Sequence, residues 1–249
     1  MKKLLLIFGL FAAITYGQEH SFDPEEVVNR SISAHGSKVF EANNVSFDFR
    51  NKSYTIQPTS NGYRYTRSQI LYGANVKDIM TQRGAFTRQV NGKTVEVTDS
   101  TAFKFSESIN SVAYFFMLPL PLNDQAVIKE AAGMDTIAGK VYYRVAVTFR
   151  QEGGGTDFQD QYRYWIDKDN YRVDYLAYNY QTNGGGVRFR KAINRRKIEG
   201  LVVQDYINYR PKDIATPLDS LPSLFGKGEL IEVSRIEKTN IQVESTKKP

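Results

Sequence analysis

The feature that most constrains this chain is a repeated alternation of large apolar and polar residues over short segments. Residues 45–50 read Val-Ser-Phe-Asp-Phe-Arg, with apolar side chains at every second position. Successive side chains of a β-strand point to opposite faces, so this period is typical of a strand with one buried face. We therefore expect a chain that is mainly β-sheet. The same kind of segment recurs at residues 63–72, 86–90, 94–97, 140–150, 161–166, 171–180, 187–198, 201–209 and 231–243.

Short turns join many of these segments. Asn91 and Gly92 separate residues 86–90 from 94–97, and Asn-Gly is a strong signal for a two-residue hairpin. Residues 167–170 and the pair Glu199-Gly200 stand in the same position between later segments. Antiparallel neighbours need only such a turn, whereas parallel neighbours need a long crossover. The chain is predicted to form an antiparallel meander.

One helix is predicted ahead of the strands. Asp23 supplies an N-cap, Pro24 fits the first helical position, and two glutamates follow in the first turn. Apolar residues then lie on one stripe until His35 and Gly36, where the helix is expected to end. A helix of this length needs an apolar surface to pack on.

The middle of the chain differs from its flanks. Residues 99–116 combine a polar start with apolar residues at helical spacing, and the helix should end before Pro119 and Pro121. A shorter helix is predicted at residues 124–132. Residues 211–228 have the composition of a loop.

The first 17 residues have the three parts of an export signal. Two lysines are followed by an apolar stretch at residues 4–14 and by small residues at the cleavage point. That stretch is shorter than the roughly 18 to 20 residues that span a bilayer, and no later segment reaches that length. We expect a signal peptide at 1–17, a single β-rich domain at 18–249 and no transmembrane segment. The expected location is the periplasm first, with release into the medium as the alternative.

The residue inventory excludes several kinds of chemistry. The chain has no cysteine and two histidines, so disulfides, thiolate nucleophiles and cysteine metal sites are excluded and no metal or cofactor is expected. The glycine runs at 153–155 and 184–186 join strand to strand and lack the helix that a phosphate loop needs, so turns or bulges are predicted. The formal net charge of +6 is spread along the chain, and no nucleic-acid partner is expected.

An enzyme is the less favoured interpretation. A Ser-His-Asp triad would have to use one of the two histidines, and no nucleophile-elbow motif is present. A pair of carboxylates for hydrolysis of a glycan or ester stays open as an alternative, although carboxylates on strands usually face solvent. Its candidates are Asp48, Glu152, Asp157, Asp160, Asp174 and Asp205.

Large side chains dominate one face of the predicted sheet, and a sheet that closes or half-closes around them either fills with side chains or encloses a ligand. Residues 112–122 are apolar and are predicted to lie across the mouth of such a cavity as a lid. In the opposing interpretation, all of these are ordinary core residues. The candidate ligand-cavity residues are Phe47, Phe49, Tyr63, Tyr65, Tyr114, Phe115, Phe116, Met117, Tyr143, Phe149, Tyr164, Trp165, Tyr175 and Phe189.

The order of segments carries a resemblance to a known fold. Residues 164–167 read Tyr-Trp-Ile-Asp, a turn follows, and Val-Asp-Tyr-Leu stands at 173–176 before a glycine turn and the segments 185–190 and 205–209. This succession, behind a signal peptide, a helix, strands and a central helical insert, resembles the LolA/LolB-like carriers of lipoprotein localisation. The resemblance implies an antiparallel half-open β-barrel, covered by the N-terminal helix and the helical insert, with a hydrophobic ligand on its concave side.

A second resemblance covers nearly the whole chain after the signal. Residues 33–36, 45–50 and 152–155 are similar to those of an uncharacterised family of exported bacterial proteins. This family implies no activity.

These observations lead to one preferred function and two alternatives. The preferred function is a soluble exported carrier that holds a lipid, acyl chain or other hydrophobic ligand in a half-barrel cavity. An envelope protein that loads or receives this ligand is the expected partner. The alternatives are an exported hydrolase acting through a carboxylate pair in the same concavity, and a non-enzymatic scaffold that binds a protein through a sheet edge.

Overall fold

The structure, a computed structural model, describes residues 22–82, 84–156 and 158–246. The signal peptide expected at 1–17 lies outside these residues. Within them, no helix is long and apolar enough to cross a membrane.

Fourteen strands and four α-helices make up the described part of the chain. The helices are α1 (Pro24–Ala34), α2 (Val39–Ala42), α3 (Asp99–Met117) and α4 (Leu221–Gly226), with short 3₁₀ helices at Leu120–Asn123, Thr182–Gly184 and Leu218–Ser220. The strands of the first half are β1 (Asn43–Phe49), β2 (Lys52–Thr59), β3 (Gly62–Leu71), β4 (Ala74–Thr81), β5 (Phe86–Val90) and β6 (Lys93–Val95). Those of the second half are β7 (Val127–Ile137), β8 (Lys140–Phe149), β9 (Tyr162–Asp167), β10 (Val173–Tyr180), β11 (Gly186–Ile198), β12 (Leu201–Arg210), β13 (Ile231–Ile236) and β14 (Lys238–Ser245).

The strands form two seven-stranded sheets. The first has the order β14-β1-β2-β3-β4-β5-β6 and the second β13-β12-β11-β10-β9-β8-β7, and neighbouring strands are antiparallel, as in the pairs β1–β2 and β9–β10. Because only Glu237 separates β13 from β14, one nearly continuous strand passes from the second sheet into the first. At the other end α3 follows β6 and leads to β7, and no ladder joins these two strands in the described part of the chain. The predicted antiparallel half-open barrel is confirmed.

Both predicted helices of the half-barrel are present and cover its concave side. Asp23 caps α1 by accepting a hydrogen bond from the Glu25 backbone N–H at 2.9 Å, and the apolar stripe of α1 packs on the second sheet. Thr98 caps α3 by accepting a hydrogen bond from the Thr101 backbone N–H. The buried face of α3 packs on the first sheet through Ile109, Ala113 and Met117.

Two predictions of local structure are wrong. Residues 124–132 were expected to be helical, but most of them belong to β7, which pairs with β8 and has a register shift between Ala131 and Met134. Pairing with a neighbouring strand satisfies the backbone of this segment and overrides its helical composition. Residues 211–228 contain α4 rather than only a loop, and Leu221 of α4 is fully buried against the outer face of the second sheet.

Candidate functional site

A cavity of about 820 Å³ lies between the first sheet, α3 and the first strands of the second sheet. Its floor is the concave face of β3, β4 and β5. Tyr63 and Tyr65 of β3, Met80 of β4 and Phe86 of β5 line this floor. Tyr63 and Tyr65 are two residues apart in one strand, so both point to the same side of the sheet.

One face of α3 forms the long wall of the cavity. Ala102, Ser106, Asn110 and Tyr114 recur every four residues and all line it, as does Met117 at the end of the helix. Positions four apart lie above one another on a helix. The first two residues of this stripe, Ala102 and Ser106, have small side chains, which fill little of the space beside the helix.

The glycine run at 153–155, between β8 and β9, closes another side of the cavity. A Cβ atom on Gly154 would clash with the carbonyl oxygen of Arg150 and with the side chain of Phe158. Close packing thus requires glycine at this position of the predicted turn. Thr156, next to the run, donates a hydrogen bond from its Oγ1 to Glu107 Oε2 of α3 at 2.8 Å, which ties this loop to the helix wall.

The charged residues that line the cavity are acidic. They are Asp99 and Glu107 of α3 and Asp124 beyond it, and no lysine, arginine or histidine lines the cavity among the residues that the structure describes. Burial, with a smaller contribution from Asp124, raises the pKa of Tyr114 to about 12. Burial also raises the pKa of Tyr65. Both phenols are neutral near pH 7, as unshifted tyrosines also are, and present an uncharged surface.

The structure brings some of the predicted cavity residues together and separates others. Tyr63, Tyr65, Tyr114, Met117 and Phe149 line the 820 Å³ cavity.

A second group of four lies on the other side of α3. Phe47, Phe49, Phe115 and Phe116 line a separate pocket of about 190 Å³. The ring of Phe47 stacks on that of Phe116 with 3.7 Å between centroids.

The remaining five candidates belong to the second sheet, outside both spaces. Tyr143 and Tyr164 pack in the core beneath α1. Trp165, Tyr175 and Phe189 lie on the opposite face, in the cluster that α4 covers. Tyr164 and Trp165 are consecutive in β9, so they necessarily point to opposite faces.

The predicted lid, residues 112–122, is an internal wall instead. Met117, Leu118 and Leu122 of this segment are buried. Their side chains contact both concave faces, since Met117 belongs to the core of the first sheet and Leu118 and Leu122 to that of the second. The segment is apolar because it joins two cores. The exposed side of the cavity is bordered by the first half of α3, where Phe103 is about half exposed.

Several lining residues escaped the sequence prediction. Met80, Phe86, Ala102 and Ser106 were not named as candidates, nor was the glycine run at 153–155 as a cavity wall. Small residues recurring at helical spacing were the available signal for Ala102 and Ser106. For the glycine run no local signal exists, because its role depends on the approach of α3.

The carboxylates considered for a hydrolase do not line this cavity. Asp157 lies outside the described residues, and none of the other five is among the lining residues. Asp205 instead forms an ion pair with Arg196 at 3.1 Å, and Asp174 forms one with Arg195 at 2.5 Å. Among the described residues, no group of three or more histidines and carboxylates is placed to hold a metal ion.

With the fold and the cavity defined, the chain can be placed among known proteins. Residues 7–238 match the profile of DUF6503, a family of unknown function. The chain belongs to this family, which confirms the predicted membership of an uncharacterised family. No curated protein matches it.

Solved structures with a similar arrangement include three bacterial proteins. A LolA superfamily protein from Nitrosomonas europaea, NE2245, is 10% identical with a TM-score of 0.45, over 92% of this chain and 96% of that one. A DUF1329 family protein from Desulfovibrio piger is 11% identical with a TM-score of 0.41, over 89% and 93%. A putative outer membrane lipoprotein-sorting protein domain from Vibrio parahaemolyticus is 10% identical with a TM-score of 0.36, over 91% and 95%. The LolA superfamily named from the sequence is thus among the groups to which this chain is similar.

Proposed function

We propose that this protein binds a lipid, an acyl chain or another hydrophobic molecule in the 820 Å³ cavity. The observation that carries the proposal is the cavity itself, whose volume falls within the roughly 300–1,000 Å³ of small-molecule sites. Aromatic and methionine side chains from β3, β4, β5 and α3 supply an apolar surface.

The rim of the cavity supports a narrower choice of ligand. Asp99 and Asp124 are exposed and Glu107 is half-buried, so a polar group at the rim meets carboxylates. Like charges repel, and we propose that the polar end of the ligand is uncharged or cationic. The neutral tyrosines deeper in the cavity suit the apolar part.

The proposed role is carriage rather than catalysis. The export signal expected at residues 1–17 supports a place in the periplasm or outside the cell. A half-open barrel gives a bound molecule a route to a second protein, so we propose an envelope partner that loads or receives the ligand.

Uptake of Nile red, an uncharged dye that fluoresces in apolar surroundings, tests this proposal. Ser106→Trp places a large ring in the cavity and should weaken dye binding by about tenfold or more. Lys104→Trp adds the same ring at an exposed position of α3 that does not line the cavity and should leave binding unchanged.

Equal dye binding by Ser106→Trp and the wild type would contradict a ligand site in this cavity. Native mass spectrometry of the exported protein, followed by organic extraction, identifies the natural ligand. An uncharged or cationic amphiphile of defined mass is expected.

A further inference from the structure

The second pocket, of about 190 Å³, has a different character from the cavity. It lies where β1, α3 and the strands β11 to β14 meet, on the opposite side of α3. Its apolar walls include Phe47, Phe115 and Phe116. Its volume is below the usual range of drug-sized sites and equals that of about six water molecules.

The charged residues that line this pocket are all basic. Arg50, Arg190 and Lys238 contribute, and no aspartate or glutamate of the described residues lines it. Arg50 and Ser111 are exposed and mark the side on which the pocket opens. Arg190 and Lys238 are 8% and 7% exposed and form its inner end.

Arg190 is a buried cation without an ion pair in the described part of the chain. Its guanidinium carbon lies 3.8 Å from the centre of the Phe115 ring, and Nη2 donates a hydrogen bond to the Tyr178 hydroxyl at 2.7 Å. Its Nε is buried without a hydrogen-bond partner. A buried charge is costly unless it is paired, so this group has unused capacity for an anion.

Lys238 adds a second donor at the inner end. Its Nζ donates to the Gln204 carbonyl oxygen at 2.6 Å and lies 3.8 Å from Asp205, whose carboxylate is closer to Arg196 at 3.1 Å. Burial, opposed by Asp205 and reinforced by the charges of Arg190 and Arg196, lowers the pKa of Lys238 to about 7. Positive charge therefore remains in excess around this amine.

Asn208 provides a third polar group in the same place. Its Oδ1 is buried without a partner, while Nδ2 donates to Ser234 Oγ at 3.4 Å. Rotation of the amide exchanges these two atoms, so Asn208 can present a donor to the pocket.

We infer that this pocket binds a small organic carboxylate, with its oxygens at Arg190, Lys238 and Asn208 and its apolar body against Phe115 and Phe116. A guanidinium and a carboxylate match as a bidentate pair. The same end group occurs on a short free acid and on a fatty acid. The inference does not depend on the function proposed for the 820 Å³ cavity, which has the opposite charge.

Isothermal titration with benzoate, dodecanoate and benzyl alcohol tests the inference, at about pH 6 so that most Lys238 side chains are protonated. One or both acids should bind, whereas the alcohol, which has no charge, should not. Benzoate binding would identify a free small acid as the ligand type, and binding of dodecanoate alone would identify the end of an acyl chain. Arg190→Gln should weaken acid binding by about tenfold or more.

Two tryptophan variants separate the two spaces. Ser111→Trp, at the open side of the small pocket, should abolish acid binding and leave Nile red uptake intact, which also shows that the variant is folded. Ser106→Trp should have the reverse effect. The inference is overturned if no acid binds a wild type that takes up Nile red, if benzyl alcohol binds as tightly as benzoate, or if Ser111→Trp and Arg190→Gln bind the acid as the wild type does.

Discussion

His35 is a single buried side chain that couples the packing of α1 to pH. Its Nε2 accepts a hydrogen bond from the Val173 backbone N–H at 3.1 Å, which joins the end of α1 to β10. Its Nδ1 is buried without a partner. Burial, followed by the charges of Arg172 and Arg195, lowers the pKa of His35 from 6.5 to about 3.

The lowered pKa of His35 predicts that the free energy of unfolding decreases as the pH drops below 6.5. The unfolded chain binds a proton at this histidine between about pH 6.5 and 3 while the native protein does not, so acid favours unfolding there. From about pH 7.5 to 4.5 the loss should be roughly 3 kcal/mol, at about 1.4 kcal/mol per pKa unit. Urea unfolding at the two pH values measures it.

His35→Gln provides the matched comparison for this prediction. Glutamine retains an acceptor for Val173 but does not titrate, so the variant should lose less stability than the wild type over the same interval. Other titrating groups affect both proteins alike and cancel. If His35→Gln lost as much unfolding free energy between the two pH values as the wild type does, His35 would not be responsible for the loss.

At the scale of elements, α3 determines how the interior is divided. One face lines the 820 Å³ cavity, another lines the basic pocket, and a third packs on the first sheet.

Ile109 has no exposed surface within that packed face. Ile109→Ala should lower the free energy of unfolding by about 2–5 kcal/mol, because it removes buried methyl groups and leaves a void. Urea titration measures this free energy. Lys104→Ala, at an exposed position of α3, is the control and should change the free energy of unfolding by less than about 0.5 kcal/mol. Equal values for the two variants would contradict the anchoring role of Ile109.

At the scale of the whole molecule, the segment β13–β14 joins the two sheets. β13 pairs with β12 and β14 pairs with β1, with a single residue between β13 and β14.

A chain that ends at Leu230 would lose an outer strand from each sheet and the direct chain connection between these two strands. It should lose cooperative thermal unfolding as followed by circular dichroism, because a row of backbone groups in each sheet becomes unpaired. A synthetic peptide of residues 231–246 should restore it, whereas a scrambled peptide should not. Cooperative unfolding of the shortened chain at the wild-type midpoint would contradict this role.

Local patterns in the sequence were sufficient for most elements. The alternation at residues 45–50 predicted β1, and Asn91 and Gly92 predicted the β5–β6 hairpin, because strand period and turn conformation are properties of neighbouring residues. The same applies to the start of α1 at Asp23 and Pro24. Residues 124–132 failed because their final state depends on pairing with β8, which the local composition does not contain.

The candidate site could be predicted only in part, for a similar reason. Aromatic alternation pointed to a sheet with large inner side chains, and the resemblance to the LolA/LolB-like carriers supplied the half-open barrel. Neither states which apolar residues touch a void and which touch one another. Tyr65 lines the 820 Å³ cavity while Tyr164 packs in the core, although both alternate in the same way. The difference arises from what covers each sheet.

The antiparallel strands and the main helices were therefore contained in the order and period of the residues, and the two sequence resemblances supplied the half-open barrel and the family. The charge that lines the two internal spaces could not be read from the order and period of the residues. The acidic rim contains Asp99 and Asp124 and the basic end contains Arg190 and Lys238, and each pair brings together residues that are distant in the chain. Side-chain period depends on bonds between neighbours, whereas a cavity and its electrostatic character depend on how α3 is placed between two sheets. That placement follows from long-range packing, and it separates an aromatic cavity with an acidic rim from a smaller pocket with a basic inner end.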